Sequence, residues 1–153
     1  MKFRYLVFPV AALLLPMPAL SEPAPAFEIY LTDQAQDGFP IRPARPPQSF
    51  DCYARIYGVV ILRGLGAGRH RLRVEWIGPG GHKREVTRYP FYANGVSDTV
   101  WAWLHLKRPP AAMVDRVLFG NRASGMEEFI GDWTVKFFMD DEMLEAGHFK
   151  VIC

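Results

Sequence analysis

The stretch RHRLRVEWI, residues 69–77, alternates from end to end. Leu72, Val74 and Trp76 point one way, with His70 in phase; Arg71, Arg73 and Glu75 point the other. A period of two places neighbouring side chains on opposite faces, so this segment fits a sheet that is buried on one side and wet on the other. The same pattern recurs along the chain. FEIYLTDQ sets Phe27, Ile29 and Leu31 against Glu28, Tyr30 and Thr32. FDCYARIYGVVILRGL reads as one long β-branched and aromatic strand, with Gly58 as a candidate bulge. HKREVTRYPFY is a more polar strand suited to a sheet edge, where Pro90 is tolerated. SDTVWAWLHLK carries apolar residues on both rows. EFIGDWTVKFFMD and GHFKVIC form a closing hairpin around an acidic turn. The segments GLGAG, PGG and ANG separate these strands at intervals of about ten residues. No helical period is sustained and no repeat is present.

This spacing predicts an all-β fold, a single antiparallel β-sandwich over residues 22–153 with a proline-rich connector at 38–49. Residues 108–126 carry the least pattern. AAMVDRVLF, 111–119, fits one short helix or an irregular strand. The chain is 50% hydrophobic, which suffices for a packed core and is far from a disordered composition.

The first residues obey a different rule. Lys2 and Arg4 precede the apolar run LVFPVAALLLPM, and small residues and prolines follow. That is the order of a secretory signal peptide over residues 1–21, with cleavage after Ser21 or as late as Ala26. The run is too short, and too broken by Pro9 and Pro16, for a spanning helix, so no membrane span is expected in the mature chain. Removing residues 1–21 lowers Lys plus Arg from 18 to 16, against 16 Asp plus Glu. A mature chain near neutrality argues against nucleic acid as a partner, because phosphate binding needs a surplus of cations. Export to the periplasm or beyond makes a Cys52–Cys153 disulfide the default for the two cysteines.

The closing motif G-x-W-x-V-x-F … G-x-F-x-V, in Gly131, Trp133, Val135, Phe137, Gly147, Phe149 and Val151, resembles the last two strands of bacterial immunoglobulin-like domains of the early-set type. GRHRLRVEW is similar to a strand common in such domains. The resemblance implies an immunoglobulin-like β-sandwich and is nearly silent on function, since such domains host many roles. In antibody-type domains the paired cysteines sit on two facing strands around a core Trp. Cys153 departs from that arrangement, so antibody-like recognition is not carried over.

Catalytic signatures are absent. There is no G-x-S-x-G elbow, no H-E-x-x-H and no P-loop, and GLGAG leads into a strand rather than a helix. His70, His82, His105 and His148 are dispersed, which gives no metal-ligand spacing. The acids Asp140, Asp141, Glu142 and Glu145 lack the spacing of a calcium loop and read as a solvated turn. No catalytic residue, metal or cofactor is therefore assigned.

Two features bear on binding. Residues 53–88 hold eight basic and two acidic residues, while 127–145 hold seven acids and one lysine. These stretches either neighbour and balance each other, or they expose a basic face carrying Arg71 and Arg73 to an acidic partner or anionic glycan. In TVWAWLHL, Trp101, Trp103 and His105 alternate with Val100, Ala102, Leu104 and Leu106, and only one row can enter a sandwich core. With the aliphatic row inside, the tryptophans stand on an outer face as a contact surface. With the tryptophans inside, or under residues 108–119, no such surface exists. The leading expectation is an exported, non-enzymatic module that contacts an envelope protein or glycan through Trp101, Trp103, His105, Arg71 and Arg73. The alternatives are a small periplasmic enzyme or metal-binding protein with a site assembled from dispersed histidines and carboxylates, and a structural subunit that self-associates by an edge strand.

Overall fold

The computed structural model describes residues 24–107 and 125–153. The expected signal peptide and the expected short helix at 111–119 lie outside the described residues. The described residues form ten strands: β1 (Ala26–Thr32), β2 (Ala35–Gln36), β3 (Phe39–Pro40), β4 (Ser49–Asp51), β5 (Arg55–Arg63), β6 (Gly68–Ile77), β7 (Lys83–Ala93), β8 (Ser97–His105), β9 (Gly131–Met139) and β10 (Glu142–Ile152). Among the described residues the helical structure is one 3-10 turn, Glu127–Phe129, and no helix is long and apolar enough to cross a membrane. The protein is all-β.

A three-stranded sheet in the order β1-β5-β8 faces a five-stranded sheet in the order β4-β10-β9-β6-β7, and β2 and β3 form a small separate hairpin. Every pairing is antiparallel except β10 with β4, which is parallel. The inward rows are the apolar rows of the sequence. Leu72, Val74 and Trp76 of β6 join Trp133, Val135 and Phe137 of β9, and Phe149 and Val151 of β10. They meet Ile56, Val60 and Leu62 of β5 and Val100, Ala102 and Leu104 of β8 from the other sheet. Phe149 is the hub of the aromatic packing: it lies edge-on to Phe50 and Trp76 and stacks on Trp133. The result is a β-sandwich whose alternating rows fill one shared core.

Two local expectations are corrected. The long strand over residues 50–65 is two strands in different sheets. Asp51 turns the chain between them: its side chain accepts from Tyr53 N at 2.9 Å and its carbonyl accepts from Ala54 N at 2.9 Å. A short acidic side chain that bonds the backbone two residues on stabilises such a turn even within a β-favouring run. Gly58 is not a bulge, since it pairs in regular register with Leu31 and Ala102. A Cβ there would lie 2.8 Å from Phe137 Cζ in the facing sheet, so close packing between the sheets demands glycine. The bulges fall instead at Trp76/Ile77 and Met143/Glu145.

The acidic turn is exposed to solvent, as expected, and Asp140 also ties it to β6. Asp140 and Asp141 form its two-residue tip, both with positive φ (49° and 72°), a conformation suited to a tight hairpin. Asp140 accepts from His70 Nδ1 at 2.7 Å and from Arg71 N at 2.9 Å, and its own N–H donates to Arg71 O at 3.0 Å. The proline-rich connector is irregular between β3 and β4, and Arg42 on it bonds Glu28 of β1.

Candidate binding site

Strands β7 and β8 are consecutive in the chain and are, among the described residues, edge strands of opposite sheets. The turn Asn94–Gly95–Val96 carries the chain across. Asn94 Oδ1 accepts from Val96 N and Ser97 N, Asn94 Nδ2 donates to Ser97 O, and Asn94 N donates to Asp98 Oδ2. Gly95 supplies the left-handed residue at φ 84°. This rigid turn leaves the two edges facing each other across an open side of the sandwich.

A cleft of about 470 Å³ runs between them. Thr87, Tyr89 and Phe91 line one wall, where β7 directs its inward row past the end of the core. Asp98, Thr99, Trp101 and Trp103 of β8 line the other. Among the described residues no ring contact joins one wall to the other. Tyr89 and Phe91 stack nearly parallel at 6.4 Å, and Trp101 meets Phe39 of β3 edge-on at 5.5 Å. Trp103 is 50% exposed and Tyr89 49% exposed. The guanidinium of Arg55 lies 6.0 Å from the Trp103 ring centroid. The Thr87 hydroxyl oxygen is buried and has no hydrogen-bond partner.

The choice between the two rows of β8 is resolved. Val100, Ala102 and Leu104 are buried in the core, and Trp101 and Trp103 stand on the outer face. The two tryptophans differ. Trp101 pairs across β5 with Val59 and is partly buried, while Trp103 pairs with Tyr57 and is open. Val59 and Tyr57 are buried although they lie on this outer face, so Trp101 forms part of a second apolar layer outside the core. The sequence-based expectation that residues 108–119 cover the tryptophans falls outside the described residues.

His105 is exposed at the end of β8 and does not line the cleft. Arg71 and Arg73 are not brought near it. They sit on the outer row of β6 in the other sheet, and acids engage both. Arg71 pairs with Asp141; Arg73 pairs with Glu75 and Asp141, and its guanidinium lies 3.6 Å from the Phe138 ring centroid. Lys83 bonds Glu75 at 2.9 Å and Arg84 bonds Glu128 at 2.7 Å. The hydrogen bond from Lys83, joined by Arg73, holds the Glu75 carboxyl below its usual range against the opposing effect of burial. Arg71, Arg73 and Arg84 of the basic stretch thus pair with Asp141 and Glu128 of the acidic one.

Tyr89 and Phe91 were not singled out from the sequence. Their signal is the alternation Thr87, Tyr89, Phe91 inside a strand that reads as polar overall. Among the described residues, no three His, Cys, Asp or Glu side chains converge in an arrangement suited to a metal ion.

Behind the Phe91 wall, His70 tilts against Phe91 at 6.0 Å. Its Nδ1 reaches Asp140, and its Nε2 lies 2.8 Å from Gly66 O. Both partners are acceptors, so both bonds form together only when the ring is protonated. The Asp140 hydrogen bond raises the His70 pKa above its ordinary 6.5, with smaller help from Gly66 O and Asp98 and against desolvation. For Asp140, desolvation opposes ionisation, but the bonds from His70 and Arg71 N outweigh it and lower its pKa below 3.8. His70 stabilisation is therefore complete below pH 6.5 and is lost as pH rises through its raised value. The Asp140 part is complete above pH 3.8 and is lost as pH falls through its lowered value. Thermal melts of His70→Gln should fall furthest below the native protein at about pH 5, with the gap narrowing in alkali. A gap that does not change with pH would count against an ionic role for His70.

No family model and no curated protein matches the chain. Among solved structures, a β-glucosidase from Listeria innocua in complex with glucose is similar at 13% identity and a TM-score of 0.45, over 84% of this chain and 16% of that one. The same enzyme in complex with isofagomine gives 14% identity at the same score and coverage. The CARDB domain of a Pyrococcus furiosus protein, in complex with di-metal ions, is similar at 8% identity and a TM-score of 0.41, over 84% of this chain and 89% of that one. The chain spans about a sixth of the length of the β-glucosidase it matches.

Proposed function

We propose that this chain is an exported, non-enzymatic binding module of immunoglobulin-like type, which contacts a protein or glycan of the bacterial envelope through the cleft between β7 and β8. The observation that carries the reading is the concentration of half-open aromatic rings, Tyr89 and Trp103 foremost, along two facing strand edges. Aromatic side chains supply large contact area at low entropic cost, and exposed groups of them mark recognition surfaces. The Cys52–Cys153 disulfide fits folding in an oxidising compartment, as the amino-terminal sequence leads one to expect.

The test is capture from envelope extract by tagged protein starting at Glu22. Trp103→Ala should abolish or sharply weaken the capture of whatever partner the native protein retains. It should cost less than about 1 kcal/mol of folding stability, because half of its surface is already in water. Trp101→Ala should weaken capture too, at a greater cost in stability, since Trp101 also packs in the outer apolar layer. Undiminished capture by both variants would sink the reading.

A further inference from the structure

Resting on that reading, we infer that the cleft takes a neutral carbohydrate, a short run of pyranose rings, in preference to a peptide or an anionic polymer. Size is the first argument. A volume of about 470 Å³ suits a compact ligand of a few rings inserted between two walls. The second argument is the character of those walls. Tyr89 and Phe91 form one, Trp101 and Trp103 belong to the other, and among the described residues no ring contact closes the space between them. A pyranose ring has apolar C–H faces and a hydroxylated rim. Flat aromatic walls accept the faces, and the rim needs donors and acceptors at the margins. The cleft has them in the Thr99 hydroxyl, the Tyr89 phenol and the Asp98 carboxylate.

Thr87 adds a third argument. Its hydroxyl has no partner in the free protein, an unusual state for a buried polar atom. Thr87 lines the cleft, so a ligand seated there is the group placed to supply the bond that the fold leaves unmade. The fourth argument is charge. Among the described residues no Lys, Arg or His lines the cleft, and Asp98 lies on one wall. Uronates, phosphorylated glycans and acidic peptides would meet that carboxylate on entering. The basic residues that suit an anion, Arg71 and Arg73, lie on the other sheet and are bonded to acids. Strand addition by a peptide is obstructed along β7, where Pro90 offers no N–H.

The experiment titrates the protein lacking residues 1–21 with an array of neutral oligosaccharides: cellotetraose, maltotetraose, xylotetraose and tetra-N-acetylchitotetraose. Tetragalacturonate is the anionic comparison. Tryptophan fluorescence and calorimetry report binding. At least one neutral sugar should give saturable binding that is roughly tenfold weaker in Trp103→Ala and in Tyr89→Ala. Thr87→Val should weaken that binding while leaving the melting temperature unchanged or raised, because it removes a hydroxyl that has no partner in the free protein. Failure of every neutral sugar, with capture from envelope extract still dependent on Trp103, would overturn the carbohydrate inference and leave the binding module standing. Preference for tetragalacturonate would also overturn it. Failure of both assays would remove both readings.

Discussion

Loss of the Cys52–Cys153 bond is expected to lower folding stability by about 4–5 kcal/mol. The cysteines are 101 residues apart in sequence and 5.2 Å apart at Cα. Joining positions so distant removes a large share of the conformational freedom of the unfolded chain, and the effect grows with the logarithm of loop length. The bond also lies where the five-stranded sheet is least supported. Parallel pairing of β4 with β10 covers three residue pairs, Ser49 with Lys150, Phe50 with Val151 and Asp51 with Ile152. Beyond them Cys52 N donates to Ile152 O at 2.7 Å. Without the cross-link β4 has little to hold it except Phe50, which is buried against Phe149. Urea titration of Cys52→Ala/Cys153→Ala should show the loss directly, and denatured, unreduced native protein should contain no titratable thiol. A change below about 1 kcal/mol would mean that the sheet edge holds itself and that the entropic account of this bond is wrong.

Trp133→Ala should cost about 3–5 kcal/mol, in contrast to the small effect expected at Trp103. Trp133 is fully buried on β9, stacks on Phe149 with centroids 6.0 Å apart, and donates its indole N–H to Phe129 O at 2.8 Å. Truncation leaves a cavity between two sheets that cannot close over it, and it strips the Phe129 carbonyl, at the end of the 3-10 turn, of its partner. The measurement is the shift in urea midpoint at constant m-value. A cost near that of Trp103→Ala would show that the core around Phe149 repacks freely.

These two tryptophans show how far the sequence is legible. Each lies in an alternating strand, and in each case the alternation states which residues share its face: Trp133 with Val135 and Phe137, Trp103 with Trp101. For β9 that suffices, because the opposite row, Asp132, Thr134 and Lys136, is polar and must face water. For β8 both rows are apolar, so the period names two faces and does not say which is inside. That was decided by packing of β8 against β5 and by Phe137 of the facing sheet, which presses on Gly58 at the centre of β5.

The amino-acid sequence by itself determined the β class, the inward rows of β6, β9 and β10, the closing hairpin and the pairing of its two cysteines. These rest on local periodicity, turn residues and cysteine count. Tertiary structure alone decided that residues 50–63 divide between two sheets, that Arg71 and Arg73 lie far from Trp103 and bond to acids, and that Tyr89 and Phe91 face Trp101 and Trp103 across a cleft. A period of two assigns side chains to the faces of their own strand. Which strands meet across a sandwich depends on pairings distant in sequence, and no local pattern records them.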